Sequence, residues 1–576
     1  MSDRPSAETP DSSASLRVSR PPTGFLAGGL ALAVLVVAVA YGRGLSVGFL
    51  ADDFNILEDL LTLGPLSRWA SQGQPFLRPF TVWSYFVELQ LWGLTAWAFH
   101  LVNLLIHLLV GVGVAVVAAQ LVARFTNWGQ RERWQVGGAA GLLYLCHPSH
   151  VEAVVWISCR GDLQAALFAL TCLACHGQWV ATGGLQGGRR RWRWAALAAL
   201  VLALGSKEAA VTLPFAVLTL EWVARGRGGE SRTFTQRLLE SLKAAGPFLA
   251  ALPAYIGLRA WVLGTWVGGY GTKAHFKTDP IELLDTLFVD FSRSLIPMIA
   301  GKQLPEGVVA VILASAVIWM LWRRIGVPGE FGGRPAVALP GLCLLLFSVT
   351  AVPTLSIRIS ENSTSSERLL YLPSAFSLIL LAVLLQLAVA SSGRRWLVVA
   401  AICLPLTLQT AFAMEPWRQA GRAAATVVET IVKDEGPANT YLLGVPDSIR
   451  GAYVFRIGIG SALRLEGAKS DKTFLVHRVM LPRGDCQLET RWQGREGTIF
   501  FKDRQCRGRF RYFGKGRKMV KEIKSGAFKS RFRLPRMTRR DRIWLYSGGE
   551  MKLIQEGEPG PAPKPPTHPR PGAEAW

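Results

Sequence analysis

Residues 97–122 read WAFHLVNLLIHLLVGVGVAVVAAQLV, an apolar run without a single Asp, Glu, Lys or Arg. As a helix it is long enough to cross the roughly 30 Å hydrocarbon core of a bilayer. Comparable runs lie at Phe25 to Ala40 and at about 136–150, 163–182, 194–206, 209–223, 247–267, 306–322, 336–355, 370–390 and 396–414. The reading is therefore an α-helical polytopic membrane protein of about eleven transmembrane helices. Composition agrees: half of the 576 residues are hydrophobic and 18% are charged, which excludes a disordered chain and an ordinary soluble enzyme. Ala38-Val39-Ala40 has the form of a signal-peptidase site, but the long run and the membrane body behind it favour an uncleaved first span.

The formal net charge of +24 has to be located before it is interpreted. Between alternate spans lie short basic loops: Arg124, Arg131 and Arg133; Arg189, Arg190, Arg191 and Arg193; Arg225 to Lys243; Arg323, Arg324 and Arg334; Arg394 and Arg395. The positive-inside rule makes that side cytoplasmic, together with the N-terminus. Residues 281–300 are apolar but carry Asp285, Asp290, Arg293 and Pro297. They read as an interfacial or re-entrant helix, because intramembrane charge is costly.

Four segments follow: a disordered cytoplasmic tail over 1–23, a membrane domain over 24–414, a basic domain over 415–558 and a Pro-rich disordered tail over 559–576. Residues 415–576 hold 32 Lys+Arg against 17 Asp+Glu. Eleven spans place them outside the cytoplasm, a position that long translocated domains reach despite their charge; a cytoplasmic tail is the alternative. Period-2 alternation over 473–514 predicts a small β-rich domain. Its Cys486 and Cys506 form a disulfide if the domain is extracytoplasmic, or remain two buried thiols. There is no internal repeat.

Candidate chemistry gathers in the loops on the outer side. Asp52-Asp53-Phe54 stands just beyond the first span; one carboxylate could serve as general base while the other orients it or binds a metal, or the pair is a helix start. Arg78, before the aromatic stretch Trp83 to Trp92, faces a phosphate or a lipid head group. The second outer loop carries His147, His150, Glu152, Arg160 and Asp162. His147, His150 and Glu152 have spacing that could hold a metal, yet Pro148 disturbs helical presentation and further ligands would be needed. A hydrogen-bonded polar network facing an internal cavity is the more economical reading. Lys207 and Glu208 lie in the turn that interrupts the apolar stretch Ala195 to Leu220, where the lysine neutralises a phosphate or snorkels. Arg368 and Tyr371 lie three apart on one face of the helix entering the tenth span; Arg368 makes a bidentate phosphate contact or pairs with Glu361 or Glu367. Cys172, Cys175 and His176 read as helix packing.

The ordered set Ala51-Asp52-Asp53-Phe54, Arg78-Pro79, His147-Pro148-Ser149-His150-Val151-Glu152-Ala153-Val154 with Trp156-Ile157-Ser158, Ser206-Lys207-Glu208-Ala209-Ala210-Val211 and Glu367-Arg368-Leu369-Leu370-Tyr371-Leu372-Pro373-Ser374 resembles the GT-C membrane glycosyltransferases. It is most similar to the transmembrane and tetratricopeptide-repeat protein O-mannosyltransferases and their bacterial relatives. The resemblance covers residues 25 to about 415. It implies a polyprenyl- or dolichyl-phosphate sugar donor, inverting transfer to a protein or glycan acceptor outside the cytoplasm, and a catalytic base at Asp52 or Asp53. It also implies a bacterial inner-membrane location with the active site outside. No cofactor is indicated beyond the lipid-linked donor, a divalent metal is left open, and no nucleic-acid partner is expected. After 415 the pattern departs, because no tetratricopeptide repeats follow. Two rivals remain: a transporter or lipid flippase, and a membrane-anchored binder of anionic envelope polymer.

Overall fold

The computed structural model describes residues 23–70, 76–226, 233–266, 279–297, 335–355, 366–434, 439–468, 472–481, 486–493, 496–501, 506–513, 519–524, 529–533 and 541–555. The expected span at 306–322 and the two tails lie outside them, apart from Thr23. The chain divides into two compact units, Met1–Gly421 and Arg422–Trp576.

The first unit is helical, and the chain is an integral membrane protein. Five segments among the described residues are long and apolar enough to cross a membrane: Thr23–Ser46, Ala96–Phe125, Ile157–Ala181, Phe234–Leu263 and Ser392–Lys433, with Ala338–Thr354 and Ser374–Ala388 as shorter apolar helices. Every other expected span that falls on described residues coincides with a helix, but the lengths are less uniform than an eleven-span reading expects. Gln130–Leu145 has 16 residues, Arg190–Leu204 has 15 and Leu213–Arg225 has 13. A 13-residue helix rises only about 20 Å. The physical reason lies at their ends, where polar motifs convert the backbone to 3-10 turns at Pro148–His150 and Glu208–Thr212. Irregular backbone of this kind is tolerated beside hydrocarbon only when protein buries it, and Pro148, Ser149 and His150 are all buried.

The Ala96–Phe125 helix is the central member, packing most extensively against Gln130–Leu145 and Arg160–Ala181. Small residues allow that approach. A Cβ added at Gly137 would lie 2.5 Å from the Ala115 carbonyl oxygen, and one at Gly141 would lie 2.9 Å from that of Gly111. Backbones at this separation associate through van der Waals packing in lipid, where apolar side chains gain nothing by leaving water. A second tie joins Ala96–Phe125 and Arg160–Ala181 to Leu213–Arg225: Glu221, 1% exposed, accepts from Arg124 and from His176 at 2.9 Å and also pairs with Arg225. His176 is thus part of an ionic cluster rather than simple packing.

Residues 281–300 do begin with a helix, Pro280–Leu295, whose Thr286, Val289, Asp290, Ser292, Arg293 and Ser294 are buried. Asp52–Ala70 is two helices joined at a kink at Gly64, ahead of Pro65.

Among the described residues the second unit holds three sheets. In one, Thr440–Leu443 is central, flanked in parallel by Arg542–Ser547 and Thr473–Leu475, with Glu550–Gln555 antiparallel at the edge. A five-stranded sheet pairs Val445–Ile449 in parallel with His477–Leu481, which pairs antiparallel with Arg507–Phe513. The third is antiparallel, with Glu496–Phe501 between Leu488–Gln493 and Lys529–Arg533. Cys486 and Cys506 are joined by a disulfide, their Cα atoms 6.3 Å apart.

Close helix approach predicts a position-specific result. Gly137→Ala is expected to cost about 1–3 kcal/mol by overpacking and lower the melting temperature in detergent. Gly246→Ala, with open space around its Cβ, is expected to leave it unchanged or to gain up to about 1 kcal/mol from helix propensity.

Candidate active site

Asp53 is 2% exposed and both of its oxygens are occupied. Oδ2 accepts the Leu50 N–H at 2.9 Å; Oδ1 accepts the Ser158 N–H at 2.8 Å and the Ser158 hydroxyl. Burial pushes its pKa up to about 7 against the pull of Ser158 and Leu50, with Asp52 adding like-charge repulsion. Asp52, one residue earlier at the helix start, is half-buried.

Segments far apart in sequence meet as charge pairs around this turn. Glu152 is 1% exposed and accepts the Arg368 backbone N–H at 3.1 Å while pairing with the Arg368 guanidinium. Arg368 also lies over the Trp156 ring, 5.2 Å from its centroid, and Trp156 Nε1 faces the Leu50 carbonyl at 3.4 Å. Lys207 pairs with Asp162. Arg78 grips Glu208 through Nη2 at 2.8 Å and Nε at 3.2 Å, with Arg259 3.8 Å from the same carboxylate. Arg78 and Glu208 keep 20% and 25% of their side-chain surface exposed, so this pair is partly exposed rather than enclosed.

Arg160 is different. Its side chain is fully buried, giving Nε to Asn103 at 2.7 Å and Nη2 to the Phe99 carbonyl at 3.0 Å, pairing with Glu88 and stacking on Tyr85. It belongs to the polar network and is not presented to a donor phosphate.

His147, His150 and Tyr371 form a separate aromatic and imidazole cluster. Tyr371 donates to His107 Nδ1 at 2.7 Å, and Tyr144 donates to the Tyr371 carbonyl at 2.6 Å. His150 uses Nδ1 on the Tyr144 carbonyl and Nε2 on Ser374 Oγ, and His147 Nδ1 meets Ser149 Oγ. Both nitrogens of His150 are engaged, so it is not available as a metal ligand. Among the described residues no group of three or more His, Cys, Asp or Glu side chains is placed to hold a metal. Arg368 and Tyr371 do not act together: Arg368, in the 3-10 turn Glu367–Leu370, pairs with Glu152, whereas Tyr371 is buried against His107. Glu367 is not the partner of Arg368 either; it pairs with Arg293 at 2.7 Å, both side chains at most 2% exposed, and burial pushes its pKa up to about 7. Glu361 lies outside the described residues.

Glu88, Asn103, Ser158, Arg259 and Arg293 were not singled out as site residues from sequence. Two signals were there to find some of them: Glu88 is the one carboxylate in the aromatic stretch Trp83 to Trp92, and Asn103 and His107 are polar residues four apart in an otherwise apolar span.

The first unit is thus a membrane-embedded helical body carrying a polar site assembled from its loops. No family model matches the chain. It is similar to the protein O-mannosyl-transferase TMTC2 of Homo sapiens, 29% identical over 168 residues covering 27% of this chain and 19% of the relative. To the Drosophila melanogaster Tmtc2 it is 35% identical over 174 residues, 29% of this chain and 17% of the relative. The chain therefore matches about a fifth of the length of these relatives. Among solved structures it is similar to ArnT from Cupriavidus metallidurans bound to undecaprenyl phosphate, with TM-score 0.42, 16% identity, and 77% of this chain and 85% of that chain covered. For ArnT in the apo state the TM-score is 0.45, with 16% identity and coverages of 80% and 93%.

Because Arg160 and Glu88 are both buried, removing one strands the other. Arg160→Met alone is expected to destabilise by about 3–5 kcal/mol, and pairing it with Glu88→Leu to recover most of that loss, read as unfolding midpoints in denaturant.

Proposed function

We propose that this chain is a membrane glycosyltransferase that moves a sugar from a polyprenyl-phosphate donor to an acceptor hydroxyl outside the cytoplasm by a single inverting displacement. The observation that carries this reading is the way the second outer loop ties the others together: its Ser158 binds Asp53, its Glu152 pairs with Arg368 and its Asp162 with Lys207, whose neighbour Glu208 pairs with Arg78. Similarity to protein O-mannosyl-transferases supports the sugar-transfer class and makes mannose the first donor to try.

Asp52 is the base in this reading, since it is half-buried whereas Asp53 is 2% exposed with three donors on its oxygens. It accepts the acceptor proton as the hydroxyl oxygen bonds to the anomeric carbon. On the opposite face the bond from that carbon to the phosphate oxygen breaks, and the lipid phosphate leaves with the electron pair. Arg78, Arg259 and Lys207, held beside Glu208 and Asp162, stabilise the departing anion in this reading. Fixed charge placed where charge develops is usually the largest catalytic contribution. The chemistry needs no covalent enzyme intermediate.

The Cys486–Cys506 disulfide supports an oxidising compartment for the second unit, in keeping with a site outside the cytoplasm. A reporter enzyme active only outside the cytoplasm, fused after Trp576, is expected to be active; activity of a cytoplasm-only reporter in its place overturns the orientation.

The functional test is consumption of undecaprenyl-phosphate mannose by the purified full chain in nanodiscs. Asp52→Asn is expected to lower turnover by at least about 100-fold; full activity in both Asp52→Asn and Asp53→Asn overturns the assignment. Three donors to its oxygens favour the ionised form of Asp53, whose pKa is raised to about 7. Turnover is therefore expected to rise as pH increases through about 7, with that limb missing in Asp53→Asn.

A further inference from the structure

The turn that delivers Asp52 is held in a conformation it would not choose. Ala51 has φ of 47°, in the left-handed region that a residue with a Cβ rarely adopts, and its side chain is fully buried. Such backbone persists only where its surroundings over-determine it. Part of the restraint is local: Asp53 N–H donates to the Leu50 carbonyl at 2.9 Å, and Leu50 N–H donates to Asp53 Oδ2 at 2.9 Å. These two bonds close Leu50 to Asp53 on itself without saying where in the site the turn is to stand.

The external anchor comes from 105 residues on. Ser158 gives Asp53 Oδ1 two donors, backbone N–H and hydroxyl, from one residue. Its own position is fixed through the two residues before it. The preceding Ile157 carbonyl accepts the Tyr85 hydroxyl at 2.5 Å, and Trp156 faces the Leu50 carbonyl under the Arg368 guanidinium.

We propose that Ser158 is a positioning residue: by holding Asp53 it fixes the strained Leu50–Asp53 turn and so aims Asp52 at the acceptor. This rests on the glycosyltransferase reading for its catalytic consequence, though not for the Ser158–Asp53 coupling itself. A loss of one hydrogen bond to a carboxylate raises the pKa of that carboxylate, which gives the coupling a signature that packing alone would not produce.

The experiment compares wild type, Ser158→Ala and Ser158→Thr as full chains in nanodiscs. Infrared spectra with isotopically labelled aspartate, referenced to Asp53→Asn, follow the Asp53 carboxyl, and consumption of undecaprenyl-phosphate mannose is measured across pH. Ser158→Ala is expected to move the Asp53 titration up by about one pH unit, to lower kcat about tenfold and to leave the donor KM within about twofold. Ser158→Thr, which keeps the hydroxyl, is expected to restore both. An unmoved Asp53 titration in Ser158→Ala overturns the proposal. So does a Ser158→Thr variant as impaired as Ser158→Ala whose loss tracks a lowered melting temperature, since that identifies a packing role. If wild type consumes no donor, the functional reading fails while the infrared comparison still decides whether Ser158 governs Asp53.

Discussion

Glu152 joins parts of the chain more than 200 residues apart through one carboxylate. It accepts the backbone N–H of Arg368 and pairs with the guanidinium of the same residue, so it fixes both where that segment runs and which way its side chain points. With Arg368 placed, Trp156 is covered; with Trp156 placed, its indole reaches Leu50 and the next turn brings Ser158 to Asp53. A buried carboxylate without a partner is expensive, and here the partner is also the structural link between the second loop and the last one.

The same requirement accounts for the pattern of charge in the body. Glu88, Glu152, Glu221 and Glu367 are buried and each has an arginine. Of the three ion pairs that join the outer loops, Arg78 with Glu208 is the most exposed, at 20% and 25% of side-chain surface, against 9% and 9% for Lys207 with Asp162 and 16% and 1% for Arg368 with Glu152. Burial thus separates cations that build the site from those that can meet a ligand. A sequence shows residue type and spacing, and this distinction is in neither.

What the sequence made legible follows from what each signal depends on. Apolar runs such as 97–122 are set by local composition, so the helices stand where hydropathy placed them, and the alternating residues of the second unit form strands for the same reason. The turn at Ser206-Lys207-Glu208 was readable because three polar residues in a row cannot continue through hydrocarbon. Partner choice was not. The sequence offers Arg368 the nearby Glu361 and Glu367 as partners, whereas it pairs with Glu152, because pairing is decided by which helix ends converge in space. Arg160 looked like its fellow loop cations, and only its enclosure by Asn103, Glu88 and Tyr85 sets it apart. Ser158 stood in a quoted motif without a role, since a hydroxyl acquires one only through what it faces.

Glu367 and Arg368 are adjacent, opposite in charge, and directed to different partners, Arg293 and Glu152. A shift of this segment by one residue would exchange those contacts and set arginine against arginine or glutamate against glutamate. At about 4 Å and an effective dielectric constant near 20, each such like-charge encounter costs about 4 kcal/mol. The two residues therefore work as a key during assembly. Of the alignments open to an apolar chain in lipid, they reject those one residue to either side of the one observed.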